Sequence, residues 1–166
     1  LRLLLRAAAD AGIPLIIGSC GTSGTDSGVD WVAGITRGIL AEEGLDLKVA
    51  TIYSEQRAAD LGARLDRIHP LPPASPLDAA TLDSCRHIVG MMGHEPIVAA
   101  LEAGADVVLA GRATDTAIAA AFPLALADGE VAALFLLDRI RRGRVLDLTP
   151  LTGCQILSKL GTPRGG

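Results

Sequence analysis

Hydrophobic and polar positions along the chain fall into two alternating patterns. Short apolar runs are separated by longer stretches in which apolar residues return every three or four positions. This alternation predicts repeated βα units and therefore an α/β domain, an open, mostly parallel sheet of about four or five strands with helices on both faces. The predicted strands are residues 13–18, 47–53, 87–91 and 106–110. After the first strand, Trp31, Ile35 and Ile39 recur four apart and predict a helix over residues 28–43, which Gly44 closes where positive φ is easiest. After the second, a short helix is predicted to end near Asp66, and the four prolines of residues 69–76 keep that stretch out of any central strand. Residues 77–84 predict one or two helical turns capped by Asp78. Pro96 suits the first position of a helix running through Ala103, and Thr114 or Asp115 caps one running to about Ala121. Past Pro123 the pattern weakens. Residues 130–142 still read as an amphipathic helix whose Arg139, Arg141 and Arg142 suit its negative end, while residues 151–166 show no period.

With 49% apolar and 20% charged residues, a chain of 166 residues can bury one substantial core, so residues 1–166 read as a single α/β domain. Residues 1–10 lack an initiator Met and read as the last turns of a helix rather than a signal peptide, which predicts a fragment of a longer protein. The net charge of -4 arises from mixed acids and bases and leaves no basic face for a phosphate backbone. Trp31, Tyr53, Phe122 and Phe135 are the whole aromatic set, too few for base stacking, so no nucleic acid is expected. The longest apolar stretch, residues 116–127, is shorter than the roughly 20 residues of a spanning helix, and no membrane contact is expected. Cys20, Cys85 and Cys154 form no C-x-x-C pair, which argues against a disulfide framework or a zinc site and for reduced thiols in the cytoplasm.

The loops that follow parallel strands gather at one edge of the sheet, where ligands bind in such folds. The Gly-rich loop of residues 18–28 offers Gly18, Ser19, Gly21, Thr22 and Gly24 for close backbone approach and an anion-binding nest ahead of a helix amino end. Its spacing matches neither G-x-G-x-x-G nor the Walker pattern, so neither a dinucleotide nor an ATP site is indicated. Asp26 reads either as a helix cap or as an acid that orients a hydroxyl or a cation. Cys20 stands where a nucleophile could sit, but a small buried thiol is the favoured reading. Arg112, with Thr114, is placed to clamp a carboxylate or phosphate; its alternative is a salt bridge to a loop acid such as Asp26. Asp115 is a cap or a functional acid. His94 and Glu95 offer acid–base groups of which at most one faces the crevice, and Glu55 is the remaining loop acid, with catalysis and ordinary solvation both open. No metal-ligand set stands out.

Five runs of residues resemble one family. I-I-G-S-C-G-T-S-G-T-D at 16–26, E-E-G-L at 42–45, I-Y-S-E-Q at 52–56, I-V-G-M-M-G at 88–93 followed by E-P-I, and E-A-G-A-D-V-V-L-A-G-R-A-T-D-T-A at 102–117 are, in order, similar to the acyclic terpene utilisation family of AtuA type. The resemblance covers roughly residues 13–124 as a family-like core and leaves 125–166 as a divergent tail, without the Trp-containing helix and Cys-rich segment that continue the family pattern. It implies a domain of longer proteins and a place in the breakdown of branched terpenoid acids carried as coenzyme A esters. The expectation that follows is an enzyme of small-molecule catabolism acting on a carboxylate or a coenzyme A thioester, of hydratase, lyase or isomerase type. Asp26, Asp115, Glu55 or His94 would move a proton, while the Gly-rich loop, Arg112 and Thr114 would hold the anion. No cofactor is assigned beyond a coenzyme A ester as substrate. The expected partners are a small anionic ligand and either further copies of the chain or the remainder of a longer one. The alternatives are a non-catalytic anion- or nucleotide-binding domain and a scaffold piece of a larger protein.

Overall fold

Residues 107–110 read Val-Val-Leu-Ala, and all four are completely buried, the signature of a strand covered on both faces. In the computed structural model, which describes residues 1–126, this strand is the centre of the sheet. The elements in chain order are α1 (Arg2–Ala11), β1 (Leu15–Ile17), α2 (Asp26–Glu43), β2 (Val49–Ile52), α3 (Ala58–Gly62), a 3-10 turn (Leu65–Arg67), α4 (Ala79–Ser84), α5 (Glu95–Glu102), β3 (Val107–Ala110) and α6 (Asp115–Leu126). The strand order is β1-β3-β2 with both pairings parallel, Leu15 and Val49 flanking Val107 on its two sides.

Side chains of a strand alternate between faces, and β3 thereby divides the core in two. Val107 and Leu109 pack with Leu5 of α1 and with Val29, Ala33, Ile39 and Leu40 of α2. Val108 and Ala110 pack with Ile97 of α5 and Ala121 of α6. Helices therefore cover both faces of an open parallel sheet, as the periodicity indicates.

The sheet has three strands among the described residues, fewer than the expected four or five. The difference lies in residues 87–91. Val89 bridges Glu55 antiparallel and Met92 bridges Ala113 in the parallel sense, so this segment ties two loops together in opposite directions and cannot run as one ladder. A second correction concerns α2. Trp31 and Ile35 are exposed, and the buried stripe is Val29, Ala33, Thr36, Ile39 and Leu40. Small residues in that stripe bring the helix close to the sheet, and the Thr36 hydroxyl is satisfied by donating to the Val32 carbonyl at 2.8 Å.

Local signals read from the sequence hold at the helix ends. Gly44 takes the left-handed conformation at φ 64° after α2. Asp78 accepts the Thr81 N–H at 2.7 Å ahead of α4, and these bonds hold its carboxyl below the usual carboxylate range. α6 runs past Pro123 to Leu126, beyond the expected stop near Ala121; Ala117, Ala120 and Ala121 stay buried along it. The helix expected over residues 130–142, the aperiodic stretch 151–166 and Cys154 lie outside the described residues. Among the described residues, no helix is long and apolar enough to cross a membrane.

The central strand should dominate stability. Leu109→Ala, at a site with no exposure, is expected to lower the free energy of unfolding by about 2–5 kcal/mol in urea denaturation. Leu3→Ala, at a side chain 79% exposed, should change it by no more than about 0.5 kcal/mol.

Candidate functional site

All three strands point the same way, so the turns after Ile17, Ile52 and Ala110 arrive at one edge. There they are joined by hydrogen bonds. The Ser54 hydroxyl, nearly buried, donates to the Gly24 carbonyl at 2.8 Å and accepts the Arg112 N–H at 2.8 Å. Ser19 N–H donates to Gly111 O at 2.9 Å, and Gly111 N–H donates to Ile52 O at 2.7 Å. Gly24 is required by two constraints: its φ is +73°, and a Cβ there would overlap the Arg112 backbone. A Cβ at Gly111 would likewise run into the Ser54 side chain.

Residues 88–92 close the assembly. Gln56 N–H donates to Ile88 O at 2.7 Å and Gly90 N–H to Ser54 O at 2.8 Å, while Met92 N–H donates to Arg112 O at 2.9 Å. The four loops singled out from the sequence thus meet, although the third of them does not follow a strand.

The acids take specific places. The cap of α2 is Thr25, whose Oγ1 accepts the Gly28 N–H at 3.2 Å, and not Asp26. Asp26 instead accepts the N–H groups of Ser54 at 3.2 Å and Glu55 at 3.1 Å through one carboxylate oxygen. Glu55 reciprocates by accepting the Asp26 N–H at 3.3 Å. The same Glu55 Oε1 lies 2.7 Å from Nδ1 of His87, a residue that the sequence reading passed over. His87 sat inside a predicted strand, and only the folding of its segment across the β2 loop reveals the pair. A His within the family-like run just ahead of I-V-G-M-M-G was the available signal.

Arg112 is half-buried, and among the described residues its guanidinium forms neither a salt bridge nor a side-chain hydrogen bond; the expected alternative partner, Asp26, is engaged elsewhere. Thr114 rather than Asp115 serves α6, its Oγ1 accepting the Ala117 N–H at 3.2 Å, and Asp115 stands exposed in the first turn. His94 precedes α5 without a capping bond from its side chain and, with Thr114 and Thr116, lines a shallow cleft of about 300 Å³.

The Gly-rich loop is a closed turn. Ser23 N–H donates to Gly21 O at 2.8 Å and Gly24 N–H to Cys20 O at 3.1 Å, and Thr22 and Ser23 are the turn's exposed residues. Gly18 packs against Ile118 of α6, and Gly21 against Gly28. Ser19 at φ 50° and Thr22 at φ 66° adopt the left-handed region without being glycine, a conformation that clusters at functional loops. Cys20 is 2% exposed, and burial pushes its thiol up, which resolves its two readings in favour of a structural thiol.

The larger cavity, about 460 Å³, lies at the opposite edge between α1, α5 and α6 and is lined mainly by Ala8, Ile13, Leu47, Leu101 and Phe122. It holds none of the converging polar groups, and chemistry follows those groups rather than volume. Among the described residues, no cluster of three or more His, Cys, Asp or Glu side chains could hold a metal ion.

Sheet, loops and polar edge define an α/β domain whose strand-end crevice is tied together from within. The chain belongs to the acyclic terpene utilisation family protein AtuA family, whose profile matches residues 1–126, taking in α1 as well as every loop of the crevice. Comparison with curated proteins and with solved structures finds no match.

Two outcomes check this geometry. Ser54→Ala leaves the Gly24 carbonyl and the Arg112 N–H without their partner and should destabilise the fold by about 1–3 kcal/mol in urea titrations, although only one oxygen is removed. In timed alkylation followed by peptide mass mapping, exposed Cys85 should label promptly and Cys20 only once the protein is unfolded.

Proposed function

We propose that this protein is a cytoplasmic enzyme of small-molecule catabolism whose crevice takes a carboxylate or a coenzyme A thioester and carries out a proton-transfer reaction of hydratase, lyase or isomerase type. The observation that carries the reading is the company kept by Arg112. Its half-buried cation has no anionic partner among the described residues, and its loop is hydrogen-bonded to the loops that hold Asp26, Glu55 and His87. A free guanidinium is suited to bidentate capture of a carboxylate or phosphate. The Gly-rich loop, which leads into the amino end of α2, and the Thr114 turn at the start of α6 border the anion seat.

Glu55 is the group best placed to take a proton, because His87 and the Asp26 N–H fix the orientation of its carboxylate. Asp26 holds the Glu55 backbone in place and acts through it. His94 and Asp115 border the same edge, where either can return a proton to the product. The family's description, acyclic terpene utilisation, supports a role in small-molecule catabolism, and the thiols Cys20 and Cys85, free among the described residues, suit a reducing compartment.

A non-catalytic anion-binding domain is the second reading, favoured by the use of both Asp26 and Ser54 for backbone bonds rather than for open chemistry. A thermal-shift screen against phosphate, simple carboxylates, nucleotides and coenzyme A esters separates the possibilities. Carboxylates or coenzyme A esters should stabilise the protein, by about 2.7 kcal/mol at a hundred times the dissociation constant, and Arg112→Ala should abolish the effect. Glu55→Gln should then keep binding and lose turnover by on the order of 100-fold or more. Turnover that survives Glu55→Gln removes Glu55 from the reaction, and binding without turnover in the parent protein establishes the second reading.

A further inference from the structure

The face of α2 turned away from the sheet carries Trp31 and Ile35, two of the three residues whose spacing predicts the helix, and it is bare. Trp31 is 64% exposed and Ile35 40% exposed, and Tyr53, 50% exposed, reaches the same helix by donating its hydroxyl hydrogen bond to Asp30. Half of the protein's aromatic set, scarce to begin with, thus stands in solvent around one helix. Aromatic side chains gathered on a surface in this way mark contact with another macromolecule. Beside them are Gly34 and Gly38, one turn apart in the middle of an 18-residue helix, and among the described residues nothing lies within 4 Å of where a Cβ on either would stand. Glycine is a poor helix former, and no neighbouring atom in the fold calls for it here; the two residues form a notch beside a ridge of Trp31 and Ile35.

We propose that this face seats a second copy of itself, antiparallel, in a two-fold dimer through α2. The argument for that occupant is self-complementarity in both shape and charge. In an antiparallel pair crossing near Gly34 and Ile35, a residue one turn before the crossing meets one a turn after it. Trp31 then lies over the partner's Gly38 notch, and Asp30 comes to the side of the partner's Arg37, each contact made twice by symmetry. A parallel pair would set Trp31 against Trp31 and align like charges. The antiparallel pair also opposes the two helix dipoles. Asp30 and Arg37 are both exposed and appear in none of the salt bridges among the described residues.

Trp31 is the only tryptophan, so its fluorescence reports this face directly. The test uses the whole chain, with sedimentation equilibrium and Trp31 emission followed over a dilution series. The dimer should dissociate on dilution while the emission moves to longer wavelength. Gly38→Leu fills the notch where the fold leaves open space and improves helix propensity, so it should fold at least as well yet weaken association roughly tenfold or more. Arg37→Glu should weaken it as well, and Asp30→Lys combined with Arg37→Glu should recover part of the loss. A protein that stays monomeric with solvent-exposed Trp31 emission overturns the proposal. So does a monomer with shielded emission at every concentration, which means cover from within the same chain. A dimer indifferent to Gly38→Leu overturns it too, since it must form through another face.

Discussion

The crevice is laced together around one hydroxyl. Ser54 Oγ connects the β1 loop at Gly24 with the β3 loop at Arg112, while the backbone of its own loop is held by Asp26 from α2. Strands in a parallel sheet bring their loops to one edge but do not bond those loops to each other; that takes side chains or spare backbone groups. Here a buried serine and an acid at the start of a helix do it, and the glycines at 24 and 111 leave the space in which the loops can touch. The position of Arg112 follows from this lacing, since its backbone N–H is one of the bonds involved. The guanidinium is therefore presented by a fixed backbone, although nothing among the described residues engages the side chain itself.

What the sequence disclosed and what it hid divide along physical lines. Local signals were legible: Gly44 and Asp78 at helix ends, Pro96 at a helix start, and the fully apolar run of β3, because each rests on the conformational preference of a few neighbouring residues. The gathering of three of the loops at one edge was legible as a consequence of parallel pairing, whereas the loop at 90–96 arrives there through isolated bridges instead. The faces of α2 were not, because Trp31, Ile35 and Ile39 satisfy a helical period that a stripe of smaller residues, Val29, Ala33 and Thr36, satisfies as well. Only packing against the sheet decides between them. The segment at 87–91 has strand composition and yet serves as a brace, and with it the pairing of Glu55 with His87 stayed hidden, since a contact over 32 positions has no local trace.

Membership of the AtuA family rests on a match that spans all the residues whose structure is described, and the elements forming the crevice fall inside it. Within that frame the chain's polar resources are divided. Asp26, Ser54 and Thr114 serve the backbone; Arg112, Glu55, His87 and His94 present side chains at or near the edge. This division makes the second group the natural place for chemistry and the first the reason it holds its shape. Cys20, deep beneath the Gly-rich loop and hydrogen-bonded to the Ile17 carbonyl, belongs with the first group.

The strand order also bears on how the molecule comes into being. Among the described residues, β1 and β2 come before β3 in sequence yet do not pair with each other; each pairs with β3, which follows some way behind them. During synthesis, β1 and β2 therefore wait through α2, the Pro-rich stretch and α5 for the strand that joins them. Such late, non-local closure is slow and leaves strand edges open in the meantime. The arrival of β3 pairs both strands, completes the two halves of the core and brings in the Gly111–Arg112 turn that the crevice lacks until then. Sheet, core and site are thus completed by the same event.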